Sequence, residues 1–138
     1  MGNKDRDQLK QHGLKVTLPR VKILHLLEVS KERHVSAEDI YGQLLKDGEE
    51  VSLATVYRVL SQFEASGMII RHHFEDGYSV FELDNGEHHD HLVCEVCRSV
   101  VEFVDNVIEQ RQLEIAKQHG FEMSDHSLYI YGVCRSCQ

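Results

Sequence analysis

The chain has 138 residues, a hydrophobic fraction of 41% and a formal net charge of −8. A chain of this length can bury the core of one medium domain or of two small ones. The opening MGNKDRDQLK contains no apolar run typical of a signal peptide, and no later run is long enough to cross a bilayer. We therefore expect a soluble, cytoplasmic protein that makes no contact with a membrane.

The charge is distributed unevenly along the chain. Residues 1–34 carry eight Lys or Arg against four Asp or Glu, a balance of +4, whereas residues 84–138 carry four against ten, a balance of −6. The acidic total argues against indiscriminate nucleic-acid binding but does not exclude DNA. The carboxylates of the second half lie beside histidines, which favours a cation site there.

Three helices are predicted in the first half of the chain. Thr17 and Pro19 mark the start of the first helix. Ser36 is expected to cap the second, with Asp39 completing a capping box. The third spans residues 52–67 and is amphipathic. Its predicted core face comprises Leu53, Val56, Val59, Leu60 and Phe63, and its outer face Ala54, Tyr57, Arg58 and Ser61.

The periodicity of the sequence changes after this helix. Residues 68–83 (MIIRHHFEDGYSVFEL) predict two strands around the turn pair Asp76-Gly77. Helices followed by a hairpin favour a winged helix-turn-helix whose third helix enters the major groove of DNA. The alternative is a generic small α+β domain in which Tyr57 and Arg58 are ordinary surface residues.

The polar segment DNGE at 84–87 is a predicted hinge. Beyond it we expect a β–α–β unit, with an extended segment after the histidines, a helix capped by Asp105 or Asn106, and a final strand in LYIYGV. The domains would therefore be 1–83 and 88–138. The second is too small for a large core, so it should require a metal, a partner chain or both.

Four cysteines form two CxxC pairs, Cys94 with Cys97 and Cys134 with Cys137, separated by 36 residues. Two such turns can supply the four thiolates of a closed, tetrahedral structural zinc site. Two disulfides or two redox pairs are the alternatives. A reducing compartment disfavours the disulfides, and a redox pair usually occurs singly at a helix N-terminus.

Residues 87–97 read EHHDHLVCEVC. In an extended chain His88 and Asp90 point one way while His89 and His91 point the other, so one strand can contribute to two metal sites. Nitrogen and oxygen ligands suit Fe(II), Mn(II), Zn(II) or Co(II). A solvated HHDH loop is the alternative. The possible partner ligands elsewhere in the sequence are His34, Glu82, Glu102, Glu109 and His126.

These segments together resemble the ferric uptake regulators, bacterial iron-responsive repressors, over nearly the whole length. The matching motifs are GLKVTLPR (13–20), HVSAEDIY (34–41), LATVYRVL (53–60), RHHFE (71–75), HHDHLVCEVC (88–97) and SLYIYG (127–132). The resemblance implies an α+β fold, in which a winged helix is joined by a hinge to an α/β dimerisation domain.

The resemblance also implies three metal sites and a set of DNA contacts. The regulatory site would contain His34, Glu82, His91 and Glu102, with His89 as a possible fifth ligand. The second site would contain His88, Asp90, Glu109 and His126, and the four cysteines would hold structural zinc. The DNA contacts would be Tyr57 and Arg58 on the recognition helix and Lys15 and Arg20 before it.

The sequence thus predicts a metal-dependent repressor of iron-uptake genes rather than an enzyme. Its expected partners are a second copy of itself, with a tetramer left open, and an AT-rich inverted repeat of double-stranded DNA. Fe(II) would be the regulatory metal, replaceable by Mn(II), Co(II) or Zn(II). The alternatives are a zinc-responsive regulator of the same fold, a metal storage or transfer protein, and a metallohydrolase. A peroxide sensor is disfavoured because that subfamily has aspartates where this chain has Glu82 and Glu102.

Overall fold

A computed structural model describes residues 3–30, 34–74, 76–84 and 86–138. The chain forms two compact units, Met1–Asn85 and Gly86–Gln138, here called unit 1 and unit 2. The division lies within the segment 84–87, whose role as a hinge stays a prediction. Asn85 of that segment and Glu75 of the RHHFE motif lie outside the described residues. No helix in the described ranges has the length and apolar character needed to span a membrane.

Unit 1 begins with four helices, and three of them start where the sequence predicts, although the Thr17 side chain makes no capping hydrogen bond. Ser36 and Asp39 form the capping box, and the Ser52 side chain accepts a hydrogen bond from the Thr55 N–H. The N-terminal helix at Asn3–Gln11 was not predicted, because its sequence NKDRDQLKQ is polar and buries only Asp5 and Leu9. The helices are α1 (Asn3–Gln11), α2 (Leu18–Val29), α3 (Ala37–Lys46) and α4 (Leu53–Ala65).

A hairpin completes unit 1. Strands β1 (Ile69–His73) and β2 (Ser79–Leu83) pair in antiparallel register, and the turn between them contains Gly77 at φ +83°. An isolated bridge joins Val35 to Phe81 of β2, which attaches the segment before α3 to the hairpin. The predicted core face of α4 is buried apart from the half-buried Leu53, and its predicted outer face is exposed. Unit 1 is therefore a winged helix with an additional N-terminal helix.

Unit 2 is a three-stranded sheet with one helix. Its elements are β3 (Asp90–Cys94), β4 (Val100–Phe103), α5 (Asn106–Gln118), β5 (Tyr129–Gly132) and a short 3-10 helix at Arg135–Cys137. The order is β4-β3-β5, with β3 antiparallel to β4 and parallel to β5. The single extended segment predicted here is wrong in one respect, because a turn at 95–99 divides it into a hairpin. No glycine marks that turn; Arg98 adopts the positive φ of 62° instead.

Candidate metal centres and nucleic-acid interface

The four cysteines of unit 2 meet at the ends of β3 and β5. Their sulfur atoms all lie within 4.8 Å of one another, and all four are free thiols. The Sγ atoms of Cys97 and Cys134 are 3.8 Å apart. A zinc ion with four Zn–S bonds of about 2.3 Å requires S–S separations of about 3.8 Å, so this thiol cluster fits zinc.

The electrostatics of the thiol cluster are those of a cation site. Hydrogen bonds from the backbone N–H groups of Cys134 and Cys97 lower the pKa of the Cys94 thiol to about 6. Hydrogen bonds with Ser99 lower the pKa of Cys97. A hydrogen bond with Cys134, and then burial, raise the pKa of Cys137 to about 12. Four thiolates so close together would repel one another, and a metal ion held between them would supply the compensating positive charge.

A second cluster in unit 2, the His88 cluster, contains His88, Asp90, Glu109 and His126. The start of β3, helix α5 and the segment before β5 bring these four side chains together. Asp90 is completely buried, and its Oδ1 lies 3.2 Å from Nε2 of His88 and 3.4 Å from Nε2 of His126. Glu109 Oε1 lies 3.4 Å from each of the same nitrogens. Two imidazoles and two carboxylates form a metal-ligand set without sulfur.

A cluster in unit 1, here called the Glu82 cluster, contains the side chains of His34, His72 and Glu82. Nε2 of His34 lies 3.1 Å from Oε2 of Glu82, and Nε2 of His72 lies 3.0 Å from Oε1. Glu82 and His72 are both at least 95% buried. The sequence analysis included His34 and Glu82 but missed His72. The hairpin register explains its position, since Ile70 pairs with Glu82 and His72 stands two residues further along the same face.

The other predicted regulatory ligands lie on β3, on β4 and just before β3. Nε2 of His89 is 3.1 Å from Oε2 of Glu102. His91 pairs with Glu102 across the β3–β4 ladder, and its ring stacks on Tyr129 of β5 at a centroid distance of 5.4 Å. Unit 2 therefore brings His89, His91 and Glu102 into one neighbourhood, on the side of the strand opposite to the His88 cluster.

The outer face of α4 carries the predicted recognition residues. Tyr57 is 40% exposed, and its hydroxyl donates a hydrogen bond to the Glu38 carboxylate, which raises the pKa of Tyr57. Arg58 is exposed and donates to Thr55 Oγ1 over 3.3 Å. A cation and an aromatic ring therefore stand side by side on the surface of the helix.

The two basic residues before α4 differ in their contacts. Lys15 is exposed, in the segment that leads into α2. Arg20 donates from Nη1 to the Lys15 carbonyl over 2.7 Å and from Nη2 to Gln62 Oε1 over 2.9 Å. Arg20 therefore holds the Lys15 segment beside α4, which places the Lys15 backbone close to the helix that carries Tyr57 and Arg58.

A further group that the sequence analysis missed lies in unit 1. Asp5 of α1 and His25 and Glu28 of α2 have ligand atoms within 4.8 Å of one another. The sequence spacing of His25 and Glu28, three apart on a helix, was visible. Asp5 could not be recognised as their partner, because it lies on α1, a helix that the polar sequence does not predict.

The chain combines a winged helix with a small α/β unit, and it carries clusters of thiol, imidazole and carboxylate side chains. These features define a DNA-binding regulator that also binds metal ions. The comparisons with known proteins agree. The model of the ferric uptake regulator family matches residues 11–131. A ferric uptake regulation protein of Legionella pneumophila is 60% identical over 134 residues, which cover 97% of this chain and 98% of that protein.

Two solved structures have the same fold. The ferric uptake regulator of Vibrio cholerae gives a TM-score of 0.88 at 56% identity, covering 94% of this chain and 98% of that chain. The ferric uptake regulator of Francisella tularensis with iron gives 0.87 at 46% identity, covering 91% and 95%. The chain belongs to the ferric uptake regulator family. Its function is that of an iron-responsive transcriptional repressor, and these iron-regulator relatives favour that prediction over the zinc-responsive alternative.

Proposed function

We propose that this chain is a homodimeric repressor that binds its operator in the cytoplasm when Fe(II) occupies a regulatory site. The proposed ligands are His34, Glu82, His89, His91 and Glu102. The proposal rests on a histidine–carboxylate pair that occurs in each of the two units. Each unit holds an imidazole nitrogen 3.1 Å from a carboxylate oxygen, His34 with Glu82 in unit 1 and His89 with Glu102 in unit 2.

The ligand chemistry supports Fe(II) as the regulatory metal. Imidazole and carboxylate donors without sulfur suit Fe(II), and they also accept Mn(II), Co(II) or Zn(II). The relative from Francisella tularensis was solved with iron. Because the ligands must lose protons to bind a cation, the affinity for metal should fall as the solution becomes more acidic.

The mechanism that we propose is a shift in population. Ligands from both units that bind one cation together favour the arrangement of the units in which all of them reach it. Operator DNA would bind that same arrangement, so metal and DNA would each strengthen the binding of the other. His72 would act as a positioning residue, because its imidazole contacts Oε1 of Glu82 while His34 contacts Oε2.

The proposed DNA surface is the outer face of α4 with the segment before α2. Arg58 would contact a base edge or a phosphate, and Tyr57 would pack against a thymine methyl group. Lys15 and Arg20 would contact phosphates and set the salt dependence of binding. Two such helices related by a two-fold axis fit an inverted repeat, which we propose to be AT-rich.

Unit 2 provides a surface for the second copy. Leu92, Val101 and Ile130 occupy one row across the three strands and are 41%, 56% and 42% exposed. Helix α5 has no buried residue in the described structure. Such an exposed apolar row on a small unit favours burial against a partner chain. We infer that unit 2 forms the dimer interface.

The remaining clusters would stabilise unit 2. The thiol cluster would hold zinc, with all four positions closed by protein ligands. The His88 cluster would bind a second divalent cation that links β3, α5 and the segment before β5. Replacement of Asp90 by Asn should remove that cation and leave the zinc in place, which metal analysis of the dialysed protein can test.

The proposed function can be tested by anaerobic fluorescence anisotropy on a labelled inverted-repeat duplex. The protein would retain its thiolate-bound zinc but be stripped of exchangeable metal, then titrated with Fe(II), Mn(II) or Zn(II). We expect DNA binding to appear with Fe(II) or Mn(II) and to be lost in Glu82→Gln. The matched control is Glu114→Gln, an exposed carboxylate of α5 that pairs with Arg111. Binding that responds only to trace zinc would identify a zinc sensor, and metal uptake without any DNA binding would overturn the repressor.

A further inference from the structure

Helix α1 contributes an unusual buried acid to unit 1. Asp5 is only 2% exposed, and it shares the buried face of α1 with Leu9, four residues away. A carboxylate inside a folded unit is unfavourable unless a positive charge or hydrogen-bond donors compensate it. The groups that face Asp5 from α2 are a histidine and another carboxylate, so its surroundings determine what the acid does.

The facing groups are His25 and Glu28, which stand three residues apart on one face of α2. Nδ1 of His25 lies 3.8 Å from Oδ2 of Asp5. Ligand atoms of all three side chains lie within 4.8 Å of one another. The imidazole is one-third exposed, so the group can be reached from solvent.

The polar atoms of the group indicate that a positive partner belongs between the carboxylates. Oε1 of Glu28 is shielded from solvent and has no hydrogen-bond partner in the described parts of the chain. Ligand atoms of the buried Asp5 and of Glu28 lie within 4.8 Å of each other, so two charged carboxylates at this place would repel, and a proton or a metal ion is needed to relieve the repulsion.

We propose that Asp5, His25 and Glu28 form an additional divalent-cation site in the DNA-binding unit. It would take a metal that accepts mixed oxygen and nitrogen ligands, such as Mn(II), Fe(II), Co(II) or Zn(II). Three protein ligands leave positions for water, so the site binds exchangeable metal rather than a permanent structural ion. Occupancy ties α1 to α2, the two helices on either side of the segment that contains Lys15. This inference goes beyond the proposed function and does not depend on it.

The direct test is an anomalous difference map from crystals of the full chain grown with Mn(II). We expect a peak in contact with Asp5, His25 and Glu28. Absence of that peak, in crystals that show Mn(II) bound elsewhere in the protein, would overturn the proposal and leave a shared proton as the compensation. This measurement uses the unmodified protein and is independent of how any variant folds.

Solution stoichiometry provides the second test. The amount of bound Mn(II), measured from the electron paramagnetic resonance signal of the free ion, should fall by one per chain in His25→Gln and in Glu28→Gln. The matched control is His12→Gln, an exposed histidine whose ring contacts the Gln8 carbonyl outside the group. Its Mn(II) content should equal that of the wild type. An unchanged count in both test variants would show that any crystal peak is adventitious, and the proposal would fail.

Discussion

Nε2 of His72 on β1 lies 3.0 Å from Oε1 of Glu82 on β2, and both side chains are buried. The other oxygen of the same carboxylate faces His34. Each oxygen of the Glu82 carboxylate therefore contacts an imidazole, and these two contacts orient it before any cation binds. Groups that orient a ligand in this way commonly change metal affinity 10- to 100-fold when they are removed.

The first prediction concerns this orientation. His72→Gln should raise the Mn(II) concentration needed for half-maximal DNA binding by about tenfold, because Glu82 loses the imidazole that contacts its Oε1. Anisotropy titrations at fixed protein and DNA concentration measure the shift. His73→Gln is the matched control, since His73 is exposed and contacts only Ser79 in the described structure. A lowered melting temperature of the metal-free His72→Gln protein, without a change in Mn(II) response, would show a purely structural role.

The second prediction concerns the thiol cluster. Cys134→Ser should reduce the zinc content from one ion per chain to nearly none, because a structural zinc site requires all four of its ligands. Mass spectrometry of the dialysed protein gives the content, and sedimentation velocity reports the expected loss of the dimer. Ser136→Ala alters the same turn at an exposed position and should keep its zinc. Full zinc occupancy with three thiols would contradict the assignment.

The third prediction concerns DNA recognition by α4. Arg58→Ala should weaken operator binding by about 1–3 kcal/mol, the cost of one lost base contact, while the metal content stays the same. Arg111→Ala removes an equal charge from the exposed face of α5 and should leave the affinity nearly unchanged. If Arg58→Ala also lost zinc, the variant would be misfolded. If its affinity were unchanged, Arg58 would not contact DNA.

The fourth prediction concerns the core of unit 1. Phe63 on α4 is completely buried, so Phe63→Ala should destabilise the unit by about 3–5 kcal/mol through lost contacts and the cavity that remains. Unit 1 contains four of the five α-helices in the described structure, so urea unfolding followed by helical circular dichroism reports it. Leu45→Ala, at a 54% exposed position on α3, should change stability by no more than about 0.5 kcal/mol.

Much of the fold was predictable because its signals are local. The capping side chains of Ser36, Ser52 and Asp105 bind backbone N–H groups within three residues, so short motifs predicted where α3, α4 and α5 begin. The buried and exposed faces of α4 followed from the helical period. The alternation of the histidines likewise placed His88 and Asp90 together and apart from His89.

The features that escaped prediction depend on contacts between distant segments. Helix α1 lacks an apolar period. Its one buried apolar residue, Leu9, can be recognised as a core residue only from its packing in unit 1. The β3–β4 turn contains no glycine, because Arg98 takes the left-handed conformation. His72 joins Glu82 only through the register of the hairpin, and Asp5 meets His25 only through the packing of two helices.

The parallel pairing of β3 with β5 has a consequence for how the protein is made. Its partners are far apart in the chain, as in the pair Cys94 and Gly132, so the strands meet late in folding, after a long loop has closed. The thiols lie at the ends of these same strands, and bound zinc would hold the pairing once it forms. A cell that lacks zinc would therefore accumulate chains whose last strand is not paired. Its capacity to sense one nutrient metal would depend on its supply of another.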